Sequence, residues 1–102
     1  MTDTEFKTIR ELSINNNITQ RELSKRLGMS LGAINYVIKA LIKKGYVRAQ
    51  RFKNSNNKIG YIYALTPKWL YDKTMITQEF IQKKMAEYEH LKKEIEMLER
   101  EL

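Results

Sequence analysis

The sequence has no cysteine, a single histidine, a single proline and four glycines. Without thiols there is no disulfide framework, no thiolate zinc site and no cysteine nucleophile, and the composition suits a reducing compartment. One imidazole, His90, leaves no material for a site built from several histidines. Long hydrophobic runs are missing too. The most apolar stretch, Ile59 to Leu65, is far shorter than the roughly 20 residues that a membrane-spanning helix requires. Asp3, Glu5, Lys7, Arg10 and Glu11 crowd the start of the chain, so no apolar signal core stands there. A length of 102 residues accommodates one compact domain with an appendage, and excludes a (β/α) barrel or a two-domain enzyme.

Positive charge is abundant: 19 Lys and Arg stand against 12 Asp and Glu, a formal net charge of +7. It is placed unevenly. Residues 1–65 hold 12 basic and 4 acidic side chains, whereas residues 66–102 hold 7 basic and 8 acidic ones. A basic head followed by a near-neutral tail implies a polyanionic partner for the head, because Lys and Arg gain by displacing counterions from nucleic acid or by meeting anionic surfaces. These two segments are also the expected domains, a folded unit over 1–65 and a C-terminal helix over 66–102.

Hydrophobic spacing and capping chemistry define the elements. Phe6, Ile9 and Leu12 recur at helical spacing, and Asn15-Asn16-Asn17 stops that helix after Ile14. Thr19-Gln20-Arg21-Glu22 reads as a capping box, with Ile18 and Leu23 at the positions of a hydrophobic staple. The second helix runs to about Leu27, where Gly28 supplies a left-handed residue. Ser30 caps a third helix, about 31–44, whose apolar stripe is Leu31, Ile34, Val37, Ile38, Leu41 and Ile42, and Gly45 ends it. Beyond Gly45 the pattern becomes extended: Tyr46, Val47 and Phe52, then Ile59, Tyr61, Ile62, Tyr63 and Leu65, separated by a flexible Asn54-Ser55-Asn56-Asn57 tip. Thr66-Pro67 opens the last helix, and with no later Gly or Pro it can continue to Leu102 over roughly 50 Å.

The expected fold is therefore mainly α with a small β-hairpin, a winged helix-turn-helix followed by a long C-terminal helix of coiled-coil type. If Ile34, Val37, Ile38 and Leu41 are buried, the opposite face of the third helix presents Ser30, Gly32, Ala33, Asn35, Tyr36 and Lys39, with Lys43 farther along. That face fits a DNA major groove. Asn35 can pair with an adenine edge, Ala33 or Tyr36 can touch a thymine methyl, Lys39 can reach guanine or phosphate, and Gly32 lets the backbone approach closely. The hairpin forms a wing, about 51–58, in which Arg51, Lys53 and Lys58 flank Asn54, Ser55 and Asn57 for contact with the phosphate backbone or the minor groove. Thr19, Gln20 and Arg21 at the start of the second helix complete the DNA-binding set, with Arg21 on phosphate.

The tail follows a different pattern. Ile81, Tyr88, Ile95 and Leu102 at a, with Leu91 and Leu98 at d, form an apolar seam that points to a homodimer. Glu87 and Lys92 attract across a parallel pair while Glu94 and Glu99 repel, which leaves both chain directions open. His90 falls at a c position with no metal role, and Glu87, Glu89 and Glu94 read as a solvated face. No catalytic constellation, metal site or cofactor motif emerges. A protein-interaction or adaptor module using the same winged domain and tail is the alternative function.

The segments Thr19-Gln20-Arg21-Glu22-Leu23-Ser24, Ser30-Leu31-Gly32-Ala33-Ile34-Asn35-Tyr36, Lys39-Ala40-Leu41-Ile42, Lys44-Gly45, Phe52-Lys53-Asn54-Ser55, Asn57-Lys58, Leu65-Thr66-Pro67-Lys68 and Ala86-Glu87-Tyr88-Glu89 resemble the MarR-type winged-helix regulators associated with bacterial extracellular polysaccharide genes. The resemblance implies a cytoplasmic transcriptional regulator that binds double-stranded DNA as a dimer, with the third helix in the major groove and the wing on the backbone. It differs from classical MarR proteins in showing no long N-terminal dimerisation helix, so their small-phenolic effector pocket is not implied.

Overall fold

The computed structural model describes residues 1–102. In chain order the elements are α1 (Asp3–Ile14), α2 (Gln20–Leu27), α3 (Leu31–Lys43), β1 (Val47–Lys53), β2 (Ile59–Leu65) and α4 (Pro67–Arg100).

Local chemistry accounts for each boundary. The Thr2 hydroxyl accepts the Glu5 amide and the Glu5 carboxylate accepts the Thr2 amide, both at 3.1 Å, so the complete capping box of this chain lies at the start of α1. At α2 only half of the expected box forms. Thr19 accepts the Glu22 amide at 3.1 Å, and Glu22 points to solvent instead of reaching back. Ile18 and Leu23 are buried as the staple requires. Gly28 ends α2 with φ 64°, a conformation that strains any side-chain-bearing residue. The Ser24 hydroxyl donates to the Met29 carbonyl and thereby ties down the turn between α2 and α3.

The stripe of α3 is narrower than its sequence suggests. Ile34, Val37, Ile38 and Leu41 are buried, but Leu31 and Ile42 are 46% and 39% exposed at its edges. Spaced i, i+3, i+4, i+7, the four buried residues already fill the width that packs on the core. β1 and β2 pair antiparallel with Val47 opposite Leu65 and Lys53 opposite Ile59. Tyr63 also pairs outward with Ile18, its amide donating to the Ile18 carbonyl at 2.9 Å, which fastens the base of the hairpin to the segment entering α2.

The hairpin tip is a hydrogen-bonded turn closed by Asn54. Asn54 Oδ1 accepts the amides of Asn56 at 2.9 Å and Lys58 at 3.0 Å, and Asn57 adopts φ 60°. Within the hairpin the Phe52 ring lies across Gly60, where an added Cβ would come within 3.0 Å of Cε1. A side chain at this position would have to displace the ring, so glycine suits that close approach.

The chain divides into two compact units, Met1–Tyr71 and Asp72–Leu102, and the division falls after the first turn of α4. Trp69 is the physical reason. It is 2% exposed and packs edge-on against Phe6 and Tyr46, with ring centroids 6.4 and 5.5 Å away, so the first turn of α4 belongs to the core of the first unit. Thr66 secures that turn, accepting the Trp69 amide at 3.3 Å and donating its hydroxyl to the Gly45 carbonyl at 2.5 Å. The second unit is helical to Arg100. Leu102 lies beyond the helix, outside the seam in which it was expected. No helix of the chain is long and apolar enough to cross a membrane.

Candidate nucleic-acid interface

The geometry of α3 follows from its burial. With Ile34, Val37, Ile38 and Leu41 inward, Gly32, Tyr36, Lys39 and Lys43 face solvent, and Ala33 and Asn35 are half-buried at the edges. Tyr36 is 78% exposed and projects from this face. Ser30 sits at the end of this face, with its hydroxyl accepting the Ala33 amide at 3.1 Å as the helix cap. A Cβ added to Gly32 would meet nothing within 4 Å, so the fold itself does not demand glycine at this exposed helical position.

The start of α2, the start of α3 and the hairpin enclose an open hollow of about 490 Å³ lined by Thr19, Gln20, Arg21, Leu31, Asn35, Phe52, Gly60, Tyr61 and Tyr63. Thr19, Gln20, Arg21 and Asn35, from two separate helices, are thus brought together beside the wing. Arg51 and Lys53 stand opposite Tyr61 and Ile59 on the outer half of the hairpin, and Ser55, Asn57 and Lys58 are exposed at its tip. Asn54 is already engaged in its own turn through its side-chain oxygen. Ile81, Tyr88, Leu91, Ile95 and Leu98 all lie exposed along the helix of the second unit. His90 Nε2 is 2.9 Å from Glu94 on the same surface.

Two interactions of this region had weak sequence signals. Glu5, nearly buried, forms an ion pair with Lys44 at 2.5 Å that links the start of α1 to the end of α3. Burial alone would raise the Glu5 carboxyl, but hydrogen bonds from Lys44 and Thr2, with the ammonium's charge, hold it below its ordinary value of 4.5. Thr2 three residues before Glu5 is a readable capping signature, whereas the pairing with Lys44 spans the whole head. The second is a fork at Gln20, whose Nε2 donates to Asn35 Oδ1 at 3.2 Å and to the Tyr63 hydroxyl at 3.0 Å. Nothing local in the sequence announces a contact between residues 20 and 63.

Two helices joined by a tight glycine-containing turn, a preceding helix that covers them and an antiparallel hairpin that follows define a winged helix-turn-helix domain. Residues 1–48 match the family model described as winged helix-turn-helix DNA-binding. Over 67 residues, 66% of this chain, the sequence is 36% identical to the multiple antibiotic resistance protein MarR of Salmonella typhimurium. The match covers 45% of that relative, so the chain spans less than half its length. Among solved structures, the MarR protein from Peptoclostridium difficile superposes with a TM-score of 0.64 at 26% identity, over 80% of this chain and 52% of that one. Streptococcus pneumoniae FabT, solved in complex with DNA, gives a TM-score of 0.58 at 20% identity over 85% and 61% of the two chains. The chain has the winged-helix fold of MarR structures.

Proposed function

We propose that this chain is a sequence-specific double-stranded DNA-binding transcriptional regulator of the MarR type, acting as a homodimer in the cytoplasm. The observation that carries the reading is the outward face of α3, where an exposed Tyr36, a glycine the fold does not require, and Lys39 and Lys43 stand side by side. In this reading Ser30, Gly32, Ala33, Asn35, Tyr36 and Lys39 address the major groove. Arg51, Lys53 and Lys58 ride on phosphate with Ser55 and Asn57, and Arg21 adds a further phosphate contact. FabT, of like fold, was solved with DNA bound, which supports the direction of the inference. Residues 66–102 supply the dimer through Ile81, Tyr88, Leu91, Ile95 and Leu98, whose exposure on a solvated helix calls for a partner. The chain's motif segments place it, in this proposal, with the kind of regulator associated with bacterial extracellular polysaccharide genes.

Selection of bound duplexes from a random pool tests the reading, followed by affinity measurements against salt. The expected result is a preferred site with two half-sites about 34 Å apart or a multiple of that, and an affinity that falls steeply with salt. Affinity indifferent to salt, or no preference over random duplex, contradicts it. The adaptor reading is favoured by one observation, the exposed apolar residues of the second unit. It predicts that Asn35→Ala with Lys39→Ala leaves function intact while Leu91→Asp with Leu98→Asp abolishes it.

A further inference from the structure

Asn35 is the residue of the α3 face best suited to read a base, because a free carboxamide offers a donor and an acceptor together and can match both adenine edge groups in the major groove. In this structure it is not free. Its Oδ1 accepts a hydrogen bond from Gln20 Nε2 at 3.2 Å, and the same nitrogen donates to the Tyr63 hydroxyl at 3.0 Å. Both anchors of Gln20 are themselves immobilised. Gln20 is the first residue of α2, directly after the capping Thr19. Tyr63 is buried, and its backbone pairs with the segment before that cap, donating to the Ile18 carbonyl at 2.9 Å and accepting the Asn17 amide at 3.0 Å. The amide group is planar, so holding its oxygen toward α2 leaves its nitrogen as the end available to a ligand.

We propose that Gln20 is a positioning residue that makes Asn35 a one-sided hydrogen-bond donor, so that the base Asn35 addresses is guanine in preference to adenine. Guanine presents two acceptors, N7 and O6, in the major groove, whereas adenine pairs an acceptor with an N6 donor, which must compete for an Asn35 oxygen that is turned toward α2 and has one lone pair already engaged by Gln20. The inference rests on the DNA-reading role proposed above. It also gives Tyr63, on the wing strand, a share in base preference without a base contact, because it holds Gln20.

The test is selection of bound sites by the full chain and by four variants, with thermal melting of each as a control for folding. The base that Asn35 addresses is defined as the position whose preference flattens in Asn35→Ala. At that position the unmodified chain is expected to prefer guanine over adenine by roughly tenfold. Gln20→Ala, which lets the amide turn, brings the two bases near parity. Gln20→Glu is the sharper variant, because an ionised carboxylate cannot donate and attracts the Asn35 nitrogen, so the oxygen turns outward and preference moves to a donor-bearing base, cytosine or adenine. Tyr63→Phe, a smaller change to the fold, weakens the guanine preference to a value between those of the unmodified chain and Gln20→Ala. A loss of affinity shared equally by all sequences is what a purely structural role would produce, and it overturns the proposal. So does an adenine or cytosine preference in the unmodified chain, an unchanged guanine preference in both Gln20 variants, or an Asn35→Ala variant that flattens no position. In these four cases the DNA-reading role stands. If the unmodified chain selects no sequence at all, that role and the proposal fall together.

Discussion

Met1–Tyr71 and Asp72–Leu102 use apolar residues in opposite ways. In the first unit Ile9, Leu12, Leu23, Ile34, Ile38 and Leu41 are all but inaccessible, and even the lone tryptophan is covered. In the second, every residue from Ile81 onward is exposed, including five that repeat at heptad spacing. A unit that buries its own hydrophobic residues has a fold of its own, whereas a helix that leaves a seam in water owes its apolar pattern to something outside itself. The contrast separates the residues that make the first unit fold from those to which the proposed dimer assigns self-association.

The largest effect expected from breaking the contrast is at Trp69. Trp69→Ala removes the ring that bridges Phe6 and Tyr46, and should cost the first unit about 3–5 kcal/mol in chemical denaturation. A loss under 1 kcal/mol would mean that the first turn of α4 is not part of that core. Leu91→Asp with Leu98→Asp should abolish self-association, read by sedimentation, while leaving the first unit's unfolding within about 0.5 kcal/mol of the unmodified value. A monomer before mutation would contradict the proposed role of the seam.

A smaller effect concerns the Glu5–Lys44 pair. Because the Glu5 carboxyl is held below its ordinary value of 4.5 in the folded state, the stability it contributes is present above that value and is lost as pH falls through the folded value. Lys44→Met should therefore reduce stability at neutral pH by about 1 kcal/mol, a figure kept low because the Lys44 side chain is 43% exposed, and should flatten the acid limb of the stability profile. An acid limb identical in both proteins would exclude the pair as its source. The smallest expected change has an informative sign. Gly32→Ala should stabilise α3 by about 0.5–1 kcal/mol, since open space awaits the methyl group, and should weaken DNA binding if the backbone approaches the groove there. Greater stability with undiminished affinity would remove Gly32 from the interface.

Much of this fold is legible in the sequence. Thr19, Gly28 and Ser30 are local signals, because caps and left-handed turns depend on a few neighbouring residues, and all three act as expected. The hairpin was legible from the change of period after Gly45, and the outward face of α3 from the spacing of Ile34, Val37, Ile38 and Leu41. Other features depend on packing. Leu31 and Ile42 are as apolar as their neighbours, and only the width of the packed contact decides that they stay exposed. The Asn54 turn is closed by a side-chain oxygen, a contact that the composition of the tip does not specify. Trp69 joins the core of the first unit because partners from α1 and the segment before β1 converge on it.

By itself the sequence determined the order and type of the elements, the separation of a basic head from a near-neutral tail, and which face of α3 turns outward, since these depend on spacing, capping chemistry and charge along the chain. Tertiary structure alone decided that Glu5 meets Lys44, that Trp69 belongs with Phe6 and Tyr46, and that Gln20 stands between Asn35 and Tyr63. These contacts join residues far apart in the chain, and their existence depends on how helices and hairpin pack, which no local pattern encodes.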